Sequence, residues 1–101
     1  MRGLIHTAQV YRRVTTGGRT SYEDLPFDTW KCRIDPLGAN IQLREDLAQS
    51  THWAVGVPTP ALEKGWKIVV GGISYRIVHV QVFDAPGATP HHQEVYLTRA
   101  E

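Results

Sequence analysis

The sequence contains a single cysteine, Cys32, among its 101 residues, so no disulfide can form within the chain. Stability must therefore come from core packing or from association with other chains. No apolar run approaches the roughly 20 residues that cross a bilayer, and the N-terminus lacks the apolar stretch of a signal peptide. We expect a protein without a membrane-spanning segment, intracellular when it is synthesised.

Sequence motifs typical of enzymes are also missing. There is no glycine-rich phosphate loop, no Gly-x-Ser-x-Gly nucleophile motif and no His-Glu-x-x-His zinc motif. Of the five histidines, His91 and His92 are adjacent, and neighbours on a strand point to opposite faces, which disfavours a shared metal ion. We expect a protein that is not an enzyme, with no catalytic residue, no cofactor and no bound metal.

Acidic residues are absent before Glu23, whereas four arginines occur in that segment. The formal net charge of the whole chain is only +1, so the positive excess is local. Such a cluster suits a surface that faces nucleic acid or an acidic protein, and a solvated strand face explains it equally well. We take Arg12 and Arg13 as candidates for a ring or partner interface.

Composition and length together indicate one globular domain. The hydrophobic fraction of 42% is ordinary for a folded chain, and 101 residues suffice for one compact core rather than two. No internal repeat or low-complexity tract divides the sequence. We therefore predict a single domain over residues 1–101.

Alternation of apolar and polar residues with a period of two predicts strands along most of the chain. In the clearest case, Trp30, Cys32 and Ile34 share one face, so we expect Cys32 to be buried and unreactive. A further strand at 52–57 has Trp53 on one face together with two valines. We expect all three tryptophans of the chain to lie in the core, because each buries a large apolar area.

The strongest local pattern is a pair of apolar runs, Trp66–Val70 and Ile73–Phe83, separated by Gly71 and Gly72. Two glycines supply the positive φ angles of a two-residue turn, which predicts a long antiparallel hairpin. A loop from Asp84 to Pro90 and a short last strand at Glu94–Thr98 are expected to follow.

The first half of the chain predicts one strand, Leu4–Val14, and two long loops at about 15–28 and 36–50. The first loop is rich in Thr, Gly, Ser and Asp, and we expect it to be mobile. In the second, Ala39–Leu43 fits a strand and 43–49 fits one or two helical turns. The prediction is an all-β fold, a small antiparallel β-barrel of five or six strands with these two long loops.

From Thr51 onward the sequence resembles the head–tail joining family of tailed phages. The resemblance rests on Thr51–Val55, a proline-containing linker and Gly65–Val80, which ends in an aromatic-x-Ile-x-x-Val pattern at Tyr75–Val80. It covers about residues 4–99. One departure is the stretch Val55–Pro58, where many relatives carry an arginine with aliphatic neighbours.

The resemblance implies a head-closure or stopper protein of the virion. Such a protein forms a homo-oligomeric ring below the portal and adaptor proteins, closes the DNA channel after packaging and provides the attachment site for the tail-completion protein. A loop projects into the channel and meets packaged double-stranded DNA without sequence preference. By position that loop is 36–50, with Asn40, Gln42 and Arg44 as candidate channel residues. The implied location is the head–tail interface, and the host cytoplasm during assembly.

Two other functions fit the sequence. One is a tail-completion or tail-terminator protein, which would purify with tail tubes instead of DNA-filled heads. The other is a small barrel that binds single-stranded nucleic acid through aromatic and arginine side chains, and its binding would depend steeply on salt.

Overall fold

The computed structural model describes residues 6–37, 50–84 and 90–100 of the chain. These residues form eight β-strands and contain no helix. In chain order the strands are β1 (His6–Tyr11), β2 (Arg13–Thr16), β3 (Arg19–Tyr22), β4 (Asp28–Pro36), β5 (His52–Gly56), β6 (Lys67–Val70), β7 (Ile73–Asp84) and β8 (Pro90–Arg99). The described ranges thus include no helix long and apolar enough to cross a membrane.

Six strands close into an antiparallel barrel in the order β1-β4-β5-β8-β7-β6, and β6 pairs back onto β1. The other two strands, β2 and β3, pair with each other as a separate two-stranded sheet. The predicted all-β fold with a small antiparallel barrel is therefore confirmed, with six barrel strands.

The antiparallel order gives the barrel two distinct ends. The β2–β3 hairpin and the linker from β5 to β6 lie at one end, which we call the hairpin end. Leu37 and Thr51, which flank residues 38–49, lie at the other, which we call the loop end. There the amide of Leu37 donates to the carbonyl of Thr51 at 3.0 Å, so the barrel sheet is continuous at the base of that segment.

The barrel interior is filled by side chains. Trp30 and Cys32 of β4 are fully buried, as their alternation predicted. Trp30 packs over Gly56 of β5, where a Cβ atom would lie 2.6 Å from Cε2 of the indole. The remaining buried hydrophobic residues are Ala8, Val10, Ala54, Leu62, Ile68, Tyr75, Ile77, Val78, Val95 and Leu97.

The prediction of three core tryptophans is wrong for Trp53. The inward residues of β5 are Ala54 and Gly56, because the bulk of Trp30 leaves room for small residues only. Trp53 therefore lies on the outer face, where its Nε1 donates to Oε1 of Glu94 at 3.1 Å. Trp66 is half-buried and packs against the edge of the core.

A buried glutamine holds the linker between β5 and β6 across the hairpin end. Gln93 is fully buried, and its Nε2 donates to the carbonyls of Val57 at 3.0 Å and Pro60 at 2.7 Å. Its Oε1 accepts from the amide of Leu62 at 3.2 Å. Because each buried polar group of this side chain has a partner, the linker is fixed and Leu62 fills the end of the core.

The prediction of a continuous loop over 15–28 is wrong. Residues 13–22 form the β2–β3 hairpin, which turns at Gly17 and Gly18 with φ angles of 58° and 79°. The strand predicted over Leu4–Val14 also ends earlier, since β1 stops at Tyr11 and Val14 belongs to the exposed hairpin.

The long hairpin predicted around Gly71 and Gly72 is confirmed, with φ angles of 58° and 80° at the two glycines. The last strand begins at Pro90, earlier than expected, and pairs with β7 from Asp84 onward. A register shift between Ile77 and His79 is a β-bulge that leaves both Ile77 and Val78 buried. Residues 38–49, which include the strand and helical alternatives, lie outside the described residues.

Candidate functional site

The base of the β2–β3 hairpin is held by Arg12, one of the two predicted interface residues. Its Nε and Nη2 donate to the two carboxylate oxygens of Glu23 at 2.9 and 2.8 Å, and its amide donates to Oε1 at 3.0 Å. Its guanidinium also lies 4.1 Å from the ring centroid of Phe27. A planar guanidinium matches a carboxylate in this two-bond geometry. The ion pair therefore joins the residue before β2 to the residue after β3 and holds the base of the hairpin together.

The same ion pair sets the local electrostatics. Hydrogen bonding from Arg12 lowers the pKa of the Glu23 carboxyl, and hydrogen bonding to Glu23 raises the pKa of the Arg12 guanidinium. Both side chains therefore stay charged at neutral pH. The positive charge of Arg12 is therefore neutralised by Glu23 and is not free to pair with a partner molecule.

Exposed apolar side chains gather beside this ion pair. Leu25 is 78% exposed, Phe27 43% and Val14 37%. We call these three residues the hairpin patch. The amide of Phe27 donates to the carbonyl of Val10 at 2.7 Å, and its ring meets Trp66 edge-on at 5.8 Å. The hairpin patch is therefore held in position against the barrel, although its side chains remain open to solvent.

Arg13 has contacts different from those of its neighbour Arg12, although both residues border one surface cavity. Its guanidinium lies against Gly65 of the linker, where a Cβ atom would be 2.9 Å from Nη1. Among the residues that the structure describes, Arg13 has no ion-pair partner. The two predicted interface residues thus differ, since Arg12 anchors the hairpin and Arg13 keeps an uncompensated charge.

The barrel wall extends further along β7 at the hairpin end. Beyond the bulge, β7 pairs with β8 alone, from His79 to Asp84, and we call this part the β7–β8 arm. The partners of His79–Val82 on β8 still pair with β5, so this stretch remains part of the wall. Val82 on the arm is 51% exposed, and Phe83 stacks on the ring of His92 at 4.6 Å. The hairpin patch and Val82 thus place exposed apolar side chains at the same end of the barrel.

The candidate channel residues Asn40, Gln42 and Arg44 lie outside the described residues. The chain leaves the barrel for that segment after Leu37 and returns at Ser50, at the loop end. Its two points of attachment are therefore on the side of the barrel opposite the hairpin patch.

The described part of the chain contains few side chains arranged for catalysis or metal binding. Burial raises the pKa of the Cys32 thiol to about 12, so the thiol stays protonated and is a poor nucleophile at neutral pH. No set of three or more His, Cys, Asp or Glu side chains there is arranged to hold a metal ion.

The expectation that His91 and His92 point to opposite faces is wrong. Their Nδ1 atoms lie 3.0 Å apart, and Nε2 of His92 lies 3.2 Å from Oε2 of Glu94. His91 sits at the start of β8, beyond its pairing with β5, where its side chain is exposed and free of neighbouring strands on one side. The pair is a polar surface of the arm.

Sequence reasoning missed two residues that shape this end of the barrel. Gln93 gave no signal, because a polar residue between His92 and Glu94 fits a solvated strand. The ion pair of Glu23 with Arg12 could not be predicted from the alternation of apolar residues either, since the two residues meet only when the hairpin forms. By contrast, Gly17 and Gly18 repeat the signal that identified the second hairpin.

Comparison of the sequence with protein-family models and with curated proteins finds no match.

Proposed function

We propose that this chain is a structural subunit of a tailed-phage particle, a head-closure protein that forms a ring below the portal. What supports the proposal is the distribution of apolar surface. The barrel interior is filled by its own side chains, whereas the large exposed apolar residues of the described ranges are the hairpin patch and Val82 of the β7–β8 arm, all at the hairpin end. Exposed apolar side chains grouped at one end of a domain are typical of protein–protein interfaces.

The two ends of the barrel suit different tasks in such a ring. The hairpin end offers apolar surface for neighbouring subunits or for the protein above, while the loop end carries the attachment points of residues 38–49. In a closed ring, symmetry brings copies of one segment together near the axis, so modest contacts in each copy add up. Closure of a channel in this way requires steric bulk and no catalytic group.

The structure weakens the alternative of a barrel that stacks single-stranded bases on its tryptophans. Trp30 is fully buried, and Trp53 is tied to Glu94. Stacking requires an accessible aromatic face, which Trp30 does not have. A tail-completion role remains the nearer alternative, because it would use the same ring-forming surfaces.

The experiment is to isolate particles from cells that produce tailed-phage heads and a tagged copy of this chain. DNA-filled heads and free tail tubes are separated, and each fraction is probed for the tag. We expect several copies of the chain per DNA-filled head. Recovery in the tail-tube fraction would instead support the tail-completion role, and recovery in neither fraction would refute both.

A matched pair of variants tests the surface. Leu25→Asp places a charge in the hairpin patch, and Thr7→Asp places the same charge on an exposed residue of β1 outside it. We expect Leu25→Asp to lower recovery on heads at an unchanged melting temperature, while Thr7→Asp does not. Equal recovery of the two variants would mean that the hairpin patch is not the contact surface.

A further inference from the structure

A positively charged cleft lies where the hairpin, the linker and β7 meet. It has a volume of about 470 Å³. We call it the basic cleft, and its lining residues are Arg13, Lys64, Gly65, Arg76, Ile77 and Val78.

The floor of the basic cleft is fixed by backbone hydrogen bonds. The amide of Gly65 donates to the carbonyl of Ile77 at 2.8 Å, and the amide of Ile77 donates to the carbonyl of Trp66 at 2.8 Å. The linker therefore runs beside β7 like a short extra strand. The floor of the cleft is thus fixed by backbone, while its cationic walls are the exposed side chains of Arg13, Lys64 and Arg76.

The lining carries three cationic side chains and no carboxylate. Within the described residues, Arg13 and Lys64 have no ion-pair partner, in contrast to Arg12 with Glu23 and Arg33 with Asp35. Arg13 also borders a neighbouring cavity that is lined by Glu23 and Glu63. The positive charges of Arg13 and Lys64 meet at one concave surface without an ion-pair partner, and a bound anion offsets their mutual repulsion.

Gly65 determines how Arg13 is presented. Its φ angle is 91°, and the absence of a side chain lets the guanidinium of Arg13 lie close against the backbone. A guanidinium held in one orientation presents its fork of N–H donors to an anion at little further entropic cost.

One face of the β2–β3 hairpin adjoins the cleft through Arg13. In the pairing register of the hairpin, Arg13 shares this face with Thr15 and Thr20, whereas Arg19 lies on the opposite face. The hairpin contains no acidic residue from 13 to 22, and both threonines are exposed. Hydroxyl groups beside an arginine are typical contacts of phosphate oxygens, and this face is longer than a single small anion.

We propose that the basic cleft and the adjoining hairpin bind the phosphodiester backbone of double-stranded DNA, with Arg13 and Lys64 as the principal phosphate contacts. The recognised feature is the phosphate and not the base, so binding is independent of sequence. The proposal concerns the isolated chain and holds whether or not the chain closes phage heads.

The test is a titration of a short fluorescent DNA duplex with the purified protein over a range of salt concentrations. The double variant Arg13→Gln with Lys64→Gln removes two charges from the cleft. The control Lys31→Gln with Arg33→Gln removes two charges from exposed positions of β4, which is not adjacent to β7.

We expect the wild type to bind the duplex with an affinity that falls steeply with salt. In the cleft variant the salt slope should fall by about 2 and the affinity by about tenfold or more, because two phosphate contacts are lost. The control should match the wild type. The single variant Lys64→Gln gives the same readout with a slope lowered by about 1, should the double variant fail to fold.

Three results would overturn the proposal. They are no duplex binding at low salt, an equal loss in the β4 control, and equal affinity for polyglutamate, which would make an acidic protein the partner. In the first case, binding of pyrophosphate would identify the ligand as a small anion.

Discussion

The chain contains two hairpins with nearly identical turns, but only the second lies in the barrel wall. Gly17 and Gly18 have φ angles of 58° and 79°, and Gly71 and Gly72 have 58° and 80°. The arms of the second hairpin, β6 and β7, lie in the barrel wall between β1 and β8. The arms of the first, β2 and β3, pair only with each other and are exposed along nearly their whole length.

The difference separates what a turn specifies from what burial specifies. A Gly-Gly turn fixes the reversal of the chain and the register of the two arms. Alternation of apolar residues reports whether a sheet face is buried, so the polar arms of β2 and β3 look like a loop although they form strands. The first hairpin depends instead on its base, where Glu23 binds Arg12 and the Lys67 ammonium lies 5.0 Å from the centroid of Tyr22.

The largest contrast between barrel and hairpin is expected in thiol labelling. Cys32 is buried between β1 and β5 with a pKa of about 12, so reagents should reach it only when the barrel opens. A cysteine introduced by Ser21→Cys in the Cys32→Ser background lies on the exposed hairpin. Labelling without denaturant should be on the order of a thousandfold slower for Cys32, because opening costs much of the unfolding free energy. Similar rates at the two positions would mean that the barrel wall is not closed around β4.

The next contrast concerns the two turns. Replacing Gly71 and Gly72 by valine should cost about 2–4 kcal/mol, because each residue must hold a left-handed conformation that costs about 1–2 kcal/mol. The same replacement at Gly17 and Gly18 carries the same strain, but the exposed hairpin can release it by opening locally. We expect a melting temperature lowered by roughly 10 °C or more in the first case and by only a few degrees in the second. Equal losses would show that the first hairpin is as much a part of the cooperative unit as the second.

The smallest effect is expected at the base of the first hairpin. Glu23→Gln removes the charge that binds Arg12, so hydrogen exchange of amides in 13–22 should accelerate while amides of β6 and β7 keep their rates. Asp24→Asn, at the exposed neighbouring position, is the matched control and should change neither.

The same pair predicts a pH dependence. The folded chain has a lowered pKa at Glu23, so the anchoring is complete above the ordinary range of a carboxyl group. It is lost as the pH falls through the lowered value, when Glu23 takes up a proton. Acid should therefore release the hairpin in the wild type and have no further effect on exchange of 13–22 in Glu23→Gln. Acid-induced release of equal size in the variant would assign the anchoring to another group.

Much of the barrel could be predicted from the sequence, because the alternation of apolar and polar residues along its strands indicates which side chains are buried. Trp30 and Cys32 alternate with charged residues and are buried, and Gly71 and Gly72 separate two apolar runs and form the turn. Where several residues compete for one space, the pattern fails. Trp53 lies outside because the indole of Trp30 already fills the space in front of β5, and no local pattern records that.

The candidate site was less predictable for a related reason. The sequence presents Arg12 and Arg13 as one charged pair, yet in the structure Arg12 forms an ion pair with Glu23 and Arg13 lines the basic cleft. Their difference depends on long-range contacts, with Glu23 across the hairpin and with Gly65 across the linker. Contacts of this kind appear only when the fold is known.

The central claim, closure of the DNA channel, is tested most directly by the fraction of heads that keep their DNA through purification. Heads are assembled with the wild-type chain, without it, and with a variant that lacks Gly38–Arg44. Because Leu37 and Thr51 are joined across the base of this segment, we expect the variant to fold with a normal melting temperature and to dock on heads. Heads with the wild type should retain DNA, whereas heads with the variant and heads without the chain should both lose it. Full retention in heads that lack the chain altogether would contradict the account.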